Sequence, residues 1–160
     1  MLVNTNRNRR VYIASPLFSQ AELRFNKAIK QLLEPFFTVY LPQEDGGLMS
    51  EMVKEGIPSH IASETVFRLD VQAIKDCDYL LMVLDGRAID EGAAFELGLA
   101  FSLGKECIGL QTDIRRLLPS GNNPMIKQAL SHTFDSLDEL RTWAEGVSFR
   151  TTQQTMQLLP

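Results

Sequence analysis

Three carboxylates occupy places in this 160-residue sequence where the surrounding pattern calls for apolar or neutral residues. Glu96 is the single ionisable residue in the apolar stretch GAAFELGLAFSLG, which covers residues 92–104. Asp70 interrupts the apolar stripe of the preceding predicted helix, and Asp90 precedes EGAAFEL as a helix N-cap would. Because a buried carboxylate is costly unless it is paired or hydrogen-bonded, such positions indicate either structural partners or a site.

The three carboxylates fit chemistry at a glycosidic bond, where one carboxylate attacks the anomeric carbon and a second protonates the leaving group. A magnesium site is the competing use of an acidic cluster. A phosphate-binding magnesium site would call for basic side chains or a glycine nest, and the nearby loop GRAIDEG offers Arg87 alone. Taken singly, each carboxylate also has a structural explanation: an ion pair or solvent exposure for Glu96, a rotated helix for Asp70, and simple capping for Asp90.

Strands and helices alternate along the chain, which predicts right-handed βαβ units and a single α/β domain over residues 1–160. A doubly wound, flavodoxin-like or Rossmann-like sheet of five parallel strands follows. The predicted strands are 10–14, 36–41, 79–84, 106–110 and 131–134. The predicted helices are one opened by the Ser19–Glu22 capping box and ended by Pro35, and then 65–75, 90–103, 124–130 and 135–144. Residues 42–63 are predicted to be mostly loop with a helical turn near residues 49–55, residues 1–9 a polar lead-in, and residues 151–160 a polar tail.

Ligands of such sheets bind at the carboxyl ends of the strands, which here means residues 15–18, 85–90 and 111–123. The first of these segments, SPLF, has no GxGxxG pattern, which argues against a dinucleotide site.

Composition excludes several other classes of function. Twenty acidic against sixteen basic residues argue against a nucleic-acid binder, and the longest apolar run, residues 79–84, is too short to span a membrane. The two cysteines and two histidines are isolated, so we expect no metal site and no cofactor. Isolated cysteines and the lack of a secretory signal at the N-terminus predict a cytoplasmic protein.

The combined motifs resemble the nucleoside 2-deoxyribosyltransferase family. The stretches that carry the resemblance, from about residue 11 to residue 130, are VYIASPLFS, the helix of Asp70, DGRAIDEGAAFELGLAFSLGK and GNNPM. The most specific element is Asp-x-Gly-x-x-x-Glu-x-Gly, which begins at Asp90 and is preceded by an acidic residue twenty positions earlier.

The resemblance implies transfer of a 2-deoxyribosyl group between nucleobases by a retaining double displacement. Glu96 matches the nucleophile that forms a covalent glutamyl-deoxyribose ester. Tyr12 matches a tyrosine that orients this nucleophile, and Asp70 and Asp90 match residues that contact the base and help to move its proton. The implied substrates are 2′-deoxynucleosides and free purine or pyrimidine bases.

Further residues are implied to bind substrate. Leu17 and Phe18 match apolar positions that flank the base, where other members can carry tryptophan, and Gln43 matches a glutamine that touches the sugar or base. Gly92 belongs to the central motif. Asn123 and Met125 resemble residues that a neighbouring subunit lends to the pocket, with Asn122 as the alternative to Asn123. The resemblance therefore implies a homo-oligomer with shared active sites, built on a dimer, such as a tetramer or hexamer.

Two other functions remain open at the level of sequence. A 2′-deoxynucleoside 5′-monophosphate N-glycosidase would use the same Glu96, although the charge of Asp90 would repel a 5′-phosphate. A non-catalytic nucleotide-binding module could use the same fold, since fold does not determine function.

Overall fold

The computed structural model describes residues 9–115 and 121–156, with side chains for residues 9–115 and 121–149. The five predicted strands are confirmed. They are β1 (Arg10–Ala14), β2 (Thr38–Tyr40), β3 (Tyr79–Val83), β4 (Glu106–Leu110) and β5 (His132–Phe134). All pairings are parallel, in the order β2-β1-β3-β4-β5. This order reverses direction between β1 and β3, as in flavodoxin-like doubly wound sheets, so the predicted fold class is confirmed.

Seven helices connect and cover these strands in the described part of the chain. They are α1 (Gln20–Leu33), α2 (Pro42–Asp45), α3 (Met49–Lys54), α4 (Ser59–Asp76), α5 (Glu91–Ser102), α6 (Pro124–Ala129) and α7 (Leu137–Met156). Helices α1 and α7 pack on one face of the sheet, and α4 and α5 pack on the other. The three interior strands are five residues long and each edge strand has three.

The prediction that residues 42–63 are mostly loop was wrong, although the helical turn predicted near residues 49–55 is confirmed as α3. These residues hold α2, α3 and the start of α4, because Pro42 and Pro58 stand at helix starts, where proline is tolerated. The last helix, predicted to end at residue 144, runs to Met156, since neither glycine nor proline interrupts α7 after Gly146. The predicted lead-in falls almost wholly outside the described residues, as does the end of the tail.

The local signals at two helix starts are confirmed. The Ser19 hydroxyl accepts a hydrogen bond from the backbone N–H of Glu22, whose carboxylate accepts one from the N–H of Ser19. Asp90 caps α5 by accepting from the N–H of Ala93 at 2.8 Å. Capping therefore holds Asp90 at the carboxyl-end edge of the sheet, where α5 begins.

Both cysteines are buried and unpaired. None of the helices in the described ranges is long and apolar enough to cross a membrane.

Candidate active site

A buried tyrosine and the glutamate of α5 form the centre of the candidate site. The Tyr12 side chain leaves β1 on the face covered by α4 and α5 and is fully buried. Its hydroxyl donates a hydrogen bond to Oε1 of Glu96 at 2.6 Å. Burial, followed by the negative charges of Glu96 and Asp70, holds the pKa of Tyr12 well above its usual range, so the hydroxyl stays a donor. No hydrogen bond among the described residues involves Oε2 of Glu96, so this oxygen is available to react with a bound substrate.

Glu96 is held in an environment that disfavours its charge. Burial raises its pKa from 4.5 to about 8, and the negative charges of Asp70 and Asp90 add to the rise, while the Tyr12 hydrogen bond opposes it. None of the ion pairs within the described ranges involves these three carboxylates. An ion pair therefore does not account for the position of Glu96.

A second tyrosine holds the second carboxylate. Tyr40, the last residue of β2, donates a hydrogen bond from its hydroxyl to Oδ1 of Asp70 at 3.2 Å. The rings of Tyr40 and Tyr12 are stacked, with centroids 5.4 Å apart and planes at 14°. Burial raises the pKa of Asp70 from 3.8 to about 6, and the Tyr40 hydrogen bond opposes that rise. Two tyrosine–carboxylate pairs thus stand side by side.

The site contains residues that sequence reasoning missed. Tyr40 carried a usable signal, because a polar ring at the carboxyl end of a strand beside β1 falls at the ligand-binding edge. Gly46 closes α2 beside the Tyr40–Asp70 contact. Asn26 is buried and donates to the Pro16 carbonyl and to Oε1 of Gln43, both at 2.9 Å, joining the loop after β1 to helix α2. Neither Gly46 nor Asn26 has a spacing that would single it out.

The predicted base-flanking and sugar-contacting residues occupy this same edge. Leu17 is half-buried, whereas Phe18 is 81% exposed. The Gln43 amide is engaged with α1, since it accepts from Asn26 and donates to the Leu23 carbonyl at 3.0 Å. Gly92 lies exposed in the first turn of α5, next to the Asp90 carboxylate. Their contacts with substrate stay predictions.

The residues expected to serve a neighbouring pocket point outward. Met125 is 81% exposed, and Asn123 is exposed and caps α6 by accepting from the N–H of Met125 at 2.9 Å. Asn122, the alternative to Asn123, instead donates to Oε1 of Gln111 at 2.9 Å. Donation to another subunit stays a prediction for Asn123 and Met125.

Two other features bear on what the site could hold. The part of the chain that is described contains no group of three or more His, Cys, Asp or Glu side chains arranged to hold a metal ion. A groove of about 400 Å³ between β2 and α4 shares Tyr40 with the site but is lined by none of the three carboxylates. The three carboxylates therefore lie outside this groove.

Comparison with solved structures agrees with this architecture. A conserved protein from Enterococcus faecalis shares 24% identity with a TM-score of 0.71, covering 88% of this chain and 99% of its own. A 2-deoxyribosyltransferase from Bacillus psychrosaccharolyticus shares 25% identity with a TM-score of 0.69, covering 82% and 90%. A CMP N-glycosidase from Clostridium botulinum shares 19% identity with a TM-score of 0.54, covering 86% and 99%, which indicates a common fold.

No protein with a curated description matches this chain. A family profile does, and it is the profile described as nucleoside 2-deoxyribosyltransferase, matching residues 11–158. The match includes the tyrosine of β1, the helix of Asp70 and the capped helix of Glu96, so the site described above lies wholly within it. The chain belongs to the nucleoside 2-deoxyribosyltransferase family.

Proposed function

We propose that this protein transfers the 2-deoxyribosyl group between nucleobases of 2′-deoxynucleosides through a covalent ester on Glu96. Family membership supports the coarser statement, that the chain is an enzyme of deoxyribosyl transfer or of related N-glycosidic cleavage. The observation that carries the finer proposal is the hydrogen bond from the buried Tyr12 to the half-buried Glu96. It fixes one oxygen of a carboxylate that has no cationic partner in the described structure.

In the first half of the reaction, Oε2 of Glu96 attacks C1′ of the donor nucleoside. The C1′–N bond breaks and its electron pair leaves with the base, which accepts a proton from a neighbouring acid. The attack requires the ionised form of Glu96, which with a pKa of about 8 is the minor form near neutral pH, and the Tyr12 hydrogen bond favours that form. Because the Glu96 carboxylate is poorly solvated, its charged form is destabilised. Formation of the ester removes that charge, which favours the reaction.

Asp70 is the proposed proton donor for the departing base. Its pKa of about 6 keeps a useful fraction protonated near neutral pH, which suits a general acid. Asp90 contributes negative charge near Glu96 and, as the cap of α5, is held in place for contact with the base. In the second half, the incoming base gives its proton to Asp70 and attacks C1′, which releases Glu96.

We also propose that the active unit is a homo-oligomer with sites completed across an interface. Helix α5 exposes two large aromatic side chains, Phe95 and Phe101, to 59% and 57%, and Phe67 of α4 lies against Phe95. Exposed apolar surface of this size is typical of interfaces. Asn123 and Met125, both outward-facing, are the residues proposed to enter the partner's pocket.

Base exchange reuses deoxyribose for a different base, so we place the proposed activity in nucleoside salvage, in the cytoplasm as predicted from the sequence. A deoxynucleoside 5′-monophosphate N-glycosidase is the second candidate, because the chain shares its fold with the CMP N-glycosidase. The three carboxylates of the site argue against it, because they would repel a phosphate.

The experiment is incubation with thymidine and adenine, followed by chromatography for deoxyadenosine and thymine. Exchange that persists in a chelator supports the proposal. Thymine without deoxyadenosine would indicate a hydrolase, and base release from deoxynucleoside monophosphates alone would favour the second candidate. If no purine or pyrimidine pair gives a product and binding survives Glu96→Ala, the chain is a binding module.

The covalent step has its own test. A 2-deoxy-2-fluoro nucleoside should label the wild-type protein, and peptide mass spectrometry should place the adduct on Glu96. Glu96→Ala should lose turnover by on the order of 1,000-fold or more, whereas Glu91→Gln, an exposed position on the same helix, should not. A label on another residue would contradict the assignment.

Mixing two inactive variants tests the shared site. Glu96→Ala and Asn123→Ala chains should regain part of the activity when their subunits are allowed to exchange, because some mixed oligomers contain one intact pocket. A fully active monomer in light scattering would contradict this arrangement.

A further inference from the structure

The proposed reaction assigns no role to Tyr40, which lies next to Tyr12. Tyr40 stacks on Tyr12 and donates its hydroxyl to Oδ1 of Asp70. We propose, building on the proposed function, that Tyr40 is a positioning residue that holds Oδ1 of Asp70, so that the proton exchanged with the base is carried on Oδ2. Gly46 is the residue that leaves room for this contact.

Space rather than backbone conformation explains the glycine. Gly46 has φ −90° and ψ −11°, which any residue adopts. A Cβ at this position would lie 2.8 Å from Oδ1 of Asp70, 3.0 Å from the Tyr40 hydroxyl oxygen and 3.0 Å from the Pro42 backbone carbonyl oxygen. The first of these distances is shorter than side chains tolerate, so the carboxylate or the tyrosine would have to move. Gly46→Ala is therefore a way to disturb the Tyr40–Asp70 contact without touching either side chain.

The contact determines which oxygen of Asp70 carries the proton. A hydroxyl hydrogen directed at Oδ1 occupies that oxygen, and no described residue forms a hydrogen bond with Oδ2. When the C1′–N bond breaks, the proton passes from Oδ2 to the base and leaves Asp70 as a carboxylate. Tyr40 stabilises that carboxylate, and in the second half the same oxygen takes the proton of the incoming base.

The two pairs are built alike. Tyr12 holds Oε1 of Glu96, Tyr40 holds Oδ1 of Asp70, and in each pair one carboxylate oxygen is left over. Because the rings are stacked, β1 and β2 together fix the spacing between the attacking group and the acid. We therefore expect loss of the Tyr40 hydroxyl to affect proton transfer more than substrate binding.

Tyr40→Phe is the direct test, because it keeps the stacked ring and removes one hydroxyl. We expect kcat to fall about 10- to 100-fold with little change in KM, as for loss of general acid–base catalysis. The limb of the pH–rate profile that belongs to Asp70 should move upward by about one pH unit, because the hydrogen bond that opposes the effect of burial is gone.

The other charged groups around this pair are unchanged in the variant, so they do not produce the shift. The charged or titratable groups are Asp45 on α2 with its partner Lys30 on α1, and Asp90 and Glu96 at α5; the Tyr12 hydroxyl on β1 stays neutral.

Three further variants make the test specific. Gly46→Ala should move the limb in the same direction, and the Tyr40→Phe/Gly46→Ala double variant should lose no more than the worse single one, since both act on one contact. Tyr79→Phe removes a hydroxyl bonded to Arg9 on the other face of the sheet, and Gly146→Ala adds a methyl group where no atom lies within 4 Å. Both controls should keep the wild-type profile.

A measurement that needs no turnover separates this proposal from the proposed function. Carboxyl ¹³C NMR titration of the resting protein should show the Asp70 resonance titrating about one pH unit higher in Tyr40→Phe than in wild type, whether or not base exchange is observed. If Tyr40→Phe fails to fold, the same titration of Gly46→Ala decides the question. An Asp70 titration and a pH–rate limb unchanged in the folded variants would overturn the proposal.

Discussion

Replacing Glu96 by glutamine should make the protein more stable, increasingly so as the pH rises. The glutamine keeps an oxygen to accept the Tyr12 hydrogen bond and carries no charge at any pH. In wild type, burial raises the pKa of Glu96 from 4.5 to about 8, so the native state binds a proton that the unfolded state releases between these values. The unfolding free energy of wild type therefore falls as pH rises through this window.

The size of the effect follows from the shift. One pKa unit corresponds to about 1.4 kcal/mol, so the full shift from 4.5 to about 8 corresponds to about 5 kcal/mol. The site's contact with solvent lowers this figure, and we expect a gain of about 2–4 kcal/mol at pH 8.5 that vanishes near pH 4.5. The raised pKa of Asp70 adds a similar slope at lower pH in both proteins and largely cancels in their difference.

Urea denaturation followed by circular dichroism at pH 5, 6, 7 and 8.5, at one protein concentration, measures this difference. Glu91→Gln is the matched control, since Glu91 is an exposed carboxylate in the first turn of the same helix, and its difference from wild type should not change over this range. If the unfolding free energies of wild type and Glu96→Gln differ by a constant amount between pH 5 and 8.5, the pKa of Glu96 is not raised and the reasoning is refuted.

Three further changes test the loops around the site by denaturation. Ser15→Ala should leave stability unchanged or raise it by about 1 kcal/mol, because the buried Ser15 hydroxyl has no hydrogen-bond partner among the described residues; a clear loss would show a partner. Asp85→Ala should cost about 1–2 kcal/mol, because its carboxylate accepts from two backbone amides and a hydroxyl after β4, and hydrogen exchange at residues 112–113 should quicken. Asn26→Ala should cost about 1–3 kcal/mol, since it leaves the Pro16 carbonyl and the Gln43 amide oxygen without their donor; wild-type stability in this variant would mean that the loop after β1 and helix α2 do not depend on it.

The sheet and the unusual environment of Glu96 were predictable because their signals are local. An uninterrupted apolar run indicates a doubly covered strand, and a capping aspartate marks the start of α5. Glu96 stood out because a charge in an apolar helix is unusual. Recognising the family then connected Tyr12, Asp70 and Asp90, which the fold brings together from β1, α4 and α5.

The missed features depend on contacts between segments distant in sequence. The importance of Tyr40 depends on its hydrogen bond to Asp70, thirty residues later in the chain. The importance of Gly46 depends on its closeness to both of these side chains. The glycines and prolines in residues 42–63 predicted a loop. This was misleading because these residues occur at helix ends as well as in turns. The apolar stripe that Asp70 interrupts is only partly buried: Phe67 is 56% exposed beside Phe95, because α4 packs on the sheet through its C-terminal half, where Ile74 is buried.

The shortness of the outer strands has a consequence for how copies of this protein can meet. β2 and β5 each present only three residues at the margins of the sheet, so little unpaired backbone is available for another strand to join. Continuation of the sheet from one copy to the next is therefore disfavoured, as is the open-ended fibril growth that such continuation permits. The homo-oligomer proposed above would therefore form through side chains on the helices, where a closed assembly is possible and geometry limits the number of copies.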